Sequence, residues 1–69
     1  MDEHLAIMAS FQRVRIITME SKVIVDGHAF AVREFAESEK LNEKYTVMGL
    51  DATIEDGGVV FLLIVDANE

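Results

Sequence analysis

The chain has 69 residues, 13 acids against six bases, a formal net charge of −7, and neither cysteine nor proline. That length allows one domain. The composition excludes a disulfide scaffold, a thiolate metal site, a cysteine nucleophile and a proline-rich linker. With 51% hydrophobic residues, the chain carries enough apolar surface to collapse rather than stay disordered.

The charge is uneven. Residues 1–12 hold Asp2 and Glu3 and no base, residues 13–44 hold every base and balance to zero, and residues 45–69 hold Asp51, Glu55, Asp56, Asp66 and Glu69 and no base. A field of that sign repels nucleic acid and membrane surfaces and steers towards basic partners.

Residues 1–10 read as a short helix, with Asp2 as N-cap and Leu5, Met8 and Ala9 on one stripe, and Phe11 as the anchor that docks it. Residues 13–19 alternate: Val14, Ile16 and Thr18 share one face, and Arg13, Arg15, Ile17 and Met19 the other. Glu20-Ser21 connects this strand to a second β-rich run over 22–25, forming a hairpin.

Asp26-Gly27 admits two readings. It is a type I′ turn leading to another strand, or Asp26 caps a helix. Good helix formers without glycine or proline favour a helix over residues 29–43, with Ala29, Val32, Phe35 and Ala36 as its stripe; Phe30 and Leu41 fall off it. Residues 45–54 alternate again, with Thr46, Met48, Leu50, Ala52 and Ile54 opposite Tyr45, Val47, Gly49 and Asp51. Glu55-Asp56-Gly57-Gly58 is a turn, and 59–65 is the last strand.

The expected fold is therefore α+β: two β-hairpins in an antiparallel sheet, joined by one helix, after a short N-terminal helix. The alternative is a five-stranded β-meander barrel. The last strand, Val-Val-Phe-Leu-Leu-Ile-Val, is apolar on both faces and must be covered on both. A second copy is the economical cover for so small a chain, which makes Val60, Leu62 and Ile64 the expected oligomer interface.

The residues with chemical potential form no recognisable catalytic set. His4 and His28 show no zinc-ligand spacing, and His28 reads as a surface or capping residue. Glu34, Glu37 and Glu39 fit a solvated helix face. Ser10, Ser21, Ser38, Thr18, Thr46 and Thr53 stand in no nucleophile-base pattern, and Gly57-Gly58 precedes a strand, not a phosphate-binding helix. No enzyme activity, metal or cofactor is expected. Without a basic leader, and with no apolar run longer than the seven residues 59–65, neither secretion nor a membrane span is expected, and the cytoplasm is the default location.

Over residues 11–66 the hairpin–helix–hairpin order resembles, in topology alone, the swapped-hairpin dimeric transcription factors of the antitoxin and transition-state-regulator kind. The likeness carries no function or residue by itself; the alternative function, a dimeric DNA-binding regulator of swapped-hairpin type, rests on the small basic patch that Arg13, Arg15 and Lys22 make on the first hairpin. The leading expectation is different: a small acidic homo-oligomeric interaction module that binds a basic protein surface. It would use Asp51, Glu55, Asp56, Asp66, Glu69, Glu34 and Glu37 as phosphate stand-ins, in the manner of phage-borne inhibitors of nucleic-acid-processing or defence enzymes.

Overall fold

A computed structural model describes residues 2–68, with the side chain of Asp2 outside the description, so the expected Asp2 cap and the acid Glu69 lie outside it. The elements are α1 (Asp2–Ala6), β1 (Arg13–Thr18), β2 (Val23–His28), α2 (Ala29–Ser38), α3 (Leu41–Lys44), β3 (Tyr45–Glu55) and β4 (Gly58–Ala67). The fold is α+β, and its single four-stranded sheet, in the order β2-β1-β4-β3, is not closed into a barrel. The sheet is mixed rather than antiparallel: each hairpin is antiparallel, but β1 and β4 pair in parallel at its centre. The helical connection between the hairpins causes this, because a crossover returns the chain to the same end of the sheet before β3 turns it back into β4.

The two-residue turn between β3 and β4 is built by Asp56 (φ 52°) and Gly57 (φ 78°). Positive φ at both central residues defines a type I′ turn, whose twist matches that of the strands. Asp26-Gly27 forms neither a turn nor a cap: both residues are extended within β2, paired with Arg15 and Val14. The helix begins only at Ala29, and His28 at its N-cap offers no side-chain bond. Instead, the Ala29 and Phe30 amides donate to the carbonyls of Gln12 and Ser10 (2.8 and 3.1 Å), which satisfies the first turn from the loop after α1.

The expected helix over 29–43 is broken. Lys40 is left-handed (φ 54°), and the chain restarts as α3. The break rotates Leu41 into the core, so a residue that sat off the helical stripe is buried after all. Phe30 stays exposed, and Phe35 is only partly covered, while Ala29, Val32 and Ala36 hold the buried stripe. A left-handed conformation is unfavourable for a side chain with a Cβ. Lys40→Gly is therefore expected to stabilise the fold by about 0.5–1 kcal/mol, seen as a raised thermal midpoint.

The core lies on one face of the sheet. Leu5, Val14, Ile16, Ala29, Val32, Ala36, Leu41, Leu63 and Val65 form it, with Met8, Ile24, Val25, Tyr45 and Val47 packed against its margin. Helix α1 docks through Leu5, and Met8, two residues past its end, packs beside it, since the expected helix over residues 1–10 stops at Ala6; Phe11, expected to be the anchor, is 80% exposed. Helix α2 lies over β1 and β2, and α3 over the start of β3.

Each outer strand carries an irregularity. In β2 the register shifts beside Ile24, and in β3 it shifts at Met48, between Val47 and Gly49. The extra residue at Met48 reverses the alternation of β3. Tyr45 and Val47 point to the helices, and beyond the bulge Leu50, Ala52 and Ile54, expected on the opposite face from them, join that same side, opposite Leu63, Phe61 and Val59. The helices do not reach so far, which leaves Leu50 50% and Ile54 75% exposed.

Candidate functional site: the open face of the sheet

Among the described residues no element covers the sheet face opposite the helices, and the register orders the side chains of that face in rows. One apolar row runs across all four strands: Val23, Ile17, Ile64 and Gly49. The next row is Asp26, Arg15, Leu62 and Asp51, followed by His28, Arg13, Val60 and Thr53. Glu55 lies beyond these at the hairpin end, and Asp66 and Thr46 close the face at the other end.

Arg15 organises this face. Its Nη1 and Nη2 donate to Oε2 and Oε1 of Glu55 at 2.6 and 2.8 Å, and its Nε donates to Oδ2 of Asp26 at 3.0 Å. Arg13 Nη2 adds a longer contact to the same aspartate, at 3.5 Å. A residue of β1 thus grips β2 on one side and, reaching over β4, grips β3 on the other. The planar guanidinium suits this two-sided grip because its fork matches a carboxylate bidentately. The bridge passes over β4 at the level of Val60, which is fully buried although it belongs to the open face.

The electrostatics follow from the geometry. The hydrogen bond from Arg15 holds the Glu55 carboxyl below the usual glutamate range, against an opposing push from its partial burial. Hydrogen bonds to Glu55 and then Asp26 push the Arg15 guanidinium further up, so it stays charged throughout.

Of the expected partner-binding acids, Asp51 and Asp66 stand on this open face, exposed, each accepting a bond from the next residue's amide (2.8 and 3.1 Å). Glu55 is there too, but committed to Arg15. Asp56 lies in the adjoining turn. Glu34 and Glu37 sit apart on α2, where Glu37 pairs with Arg33 at 3.6 Å. Of the expected oligomer-interface residues, Leu62 and Ile64 are half-buried on the open face, whereas Val60 is already covered within the chain.

The basic trio of the DNA-binding reading is dispersed in effect: Arg13 and Arg15 are ion-paired to Asp26 and Glu55, and Lys22 lies in the β1–β2 turn. Among the described residues no group of three or more His, Asp or Glu is placed to hold a metal ion, and no helix is long and apolar enough to cross a membrane.

Sequence reasoning placed Arg13, Arg15 and Ile17 on one strand face but did not see the Arg15–Glu55 pair, whose members are 40 residues apart. The signal available was a pair of arginines at alternating positions of a strand, in a chain rich in unmatched acids. It also missed Gln12, whose side-chain amide donates to the Val59 carbonyl at 2.7 Å and ties the end of the α1 loop to β4. Compared with known proteins, the chain matches no family model, no curated protein and no solved structure.

Proposed function

We propose that this chain is a non-catalytic, self-associating interaction module that binds a basic protein surface through the open face of its sheet. The observation that supports this most is the composition of that face: an apolar centre of Ile17, Leu62 and Ile64 flanked by the exposed carboxylates of Asp51 and Asp66. The two arginines on the same face are neutralised internally, so its outward charge is acidic. An acidic surface around an apolar centre complements a partner surface in which lysines and arginines surround aliphatic side chains.

In its sharper form, the module competes with nucleic acid for a phosphate-binding surface on a nucleic-acid-processing or defence enzyme, with Asp51, Asp56 and Asp66 in place of phosphates. The same pairing of Arg13 and Arg15 weighs against the DNA-binding regulator, which needs those cations free.

Exposed charge pairs are screened over roughly 8–10 Å at physiological ionic strength. A partner captured on the immobilised protein from cells of its source organism is expected to elute as salt rises towards 1 M, and to be lost with the Asp51→Asn/Asp66→Asn variant. A complex that survives 1 M salt and ignores the double substitution would contradict the reading.

A further inference from the structure

We propose that the outer edge of β3 is a two-fold self-association surface, centred on Ala52, through which two copies join their four-stranded sheets into one. The proposal rests on the self-association reading above and names its surface and register.

The edge is available by position. β3 ends the sheet, and among the described residues no backbone group outside β4 bonds to residues 50–54. It is long, and residues 49–55 contain neither of the two residues that block an edge most directly, proline and lysine. Its only irregularity, at Met48, lies before this segment.

The turn fixes which groups face outwards. A two-residue type I′ turn over Asp56 and Gly57 closes a hydrogen-bonded pair between Glu55 and Gly58. Alternation then aims the N–H and C=O groups of Glu55, Thr53 and Asp51 at β4, and those of Ile54, Ala52 and Leu50 at the open edge. The Ala52 amide agrees with this: it donates to the neighbouring Asp51 carboxylate at 2.8 Å instead of to a strand.

Charge selects the register. A two-fold axis at Asp51 would set the two Asp51 carboxylates directly opposite each other, and an axis at Thr53 would set Asp51 against Glu55 of the second copy. Both arrangements place like charges in contact. An axis at Leu50 would run the second copy into the Met48 bulge. An axis at Ala52 avoids all three. It pairs each Leu50 with an Ile54 and Ala52 with its twin, so that every outward group is bonded, and it sets Asp51 opposite a Thr53 hydroxyl able to donate to it. The carboxylate that now occupies the Ala52 amide gains a new donor as it gives up the old one. The Leu50–Ile54 pairs also cover flanks of two of the most exposed aliphatic side chains in the fold. The open faces of both copies stay free for a partner.

Light scattering on the full chain at about 100 μM is expected to give twice 7.7 kDa. Ala52→Pro removes an N–H that the β3–β4 ladder does not use, and is expected to give a monomer with an unchanged circular dichroism spectrum. Thr53→Glu, which sets acid against Asp51, is expected to weaken the dimer on the order of tenfold. In an Ala52→Cys variant, the paired Cα atoms should lie about 5.5 Å apart and be joined by a short thiol-to-thiol cross-linker. A monomeric wild type overturns both the edge and the self-association reading. A dimer that withstands Ala52→Pro and Thr53→Glu but splits on Leu62→Asp overturns the edge alone and puts the second copy on the open face.

Discussion

Leu63→Ala is expected to leave a large share of the molecules unfolded at 25 °C. Leu63 is fully buried in the middle of the core, in one row with Ile16 of β1 and Leu50 of β3, under the helical layer. Removing three carbons there loses their transfer energy and leaves a cavity, which together cost about 2–5 kcal/mol. A domain of this length has roughly 3–10 kcal/mol of total stability, so one substitution consumes much of it. The control is Phe11→Ala. Phe11 is larger and lies next to the docking helix, yet it is 80% exposed, so its loss is expected to change stability by no more than about 0.5 kcal/mol. Urea denaturation followed by circular dichroism measures both. Equal costs would mean that Phe11 anchors the N-terminal helix after all.

Arg15→Ala is expected to lower the thermal midpoint at pH 7, through a change on the surface of the sheet rather than in its core. It removes one side chain that ties three strands across the fourth. It leaves the Asp26 and Glu55 carboxylates without their main donor. The effect has a definite pH dependence. The folded-state pKa of Glu55 is lowered, so its contribution is fully present above the ordinary glutamate value, near 4.3, and fades as pH falls through the lower folded value. The gap in thermal midpoint between wild type and Arg15→Ala should therefore be widest at neutral pH and narrow in acid below the ordinary glutamate range. Glu55→Gln should reproduce the same narrowing, and the double variant should lose little more than Arg15→Ala alone. Added salt should shrink the gap, since the pair is part-exposed. A gap that stays constant from pH 7 to pH 3 would show that Arg15 contributes by packing alone.

Much of the local structure was legible in the chain. Alternation over residues 13–18, the β1–β2 connection and the helical stripe of Ala29, Val32 and Ala36 were all visible, because each depends on residues within a few positions of one another. The misreadings share a cause, which is that a distant contact decided a local choice. Asp-Gly occurs twice in the sequence. At 56–57 it makes the type I′ turn, whereas at 26–27 it stays extended because β1 supplies a ladder and Arg15 an ion partner for Asp26. Alternation in β3 could be read from either end, but no local rule announced the extra residue at Met48 that moves Leu50, Ala52 and Ile54 to the helix side. Lys40 is another such case, since a lysine gives no warning of a left-handed break that exists to bury Leu41.

The last strand was the most informative segment, and the structure sharpens what it implied. Its two-sided apolarity demands a layer on each face. Leu63 and Val65 meet such a layer in the helices, and Val60, on the other face, is buried within the chain. Leu62 and Ile64 remain on the face that no described element covers, beside Asp51 and Asp66. The acids at 34 and 37, which the sequence grouped with them, lie on α2, on the other side of the sheet. The acidic surface is therefore smaller than composition suggested, and it coincides with the uncovered apolar rows.

The most direct test is a titration of the isotope-labelled protein with an arginine-rich peptide, followed by amide and methyl NMR. Shifts are expected at Ile17, Leu62, Ile64, Asp51 and Asp66, with α1 and α2 unaffected and the shifts abolished at 1 M salt. Shifts confined to Glu34, Glu37 and their neighbours on α2, or none at all, would contradict the assignment of the open sheet face as the binding surface.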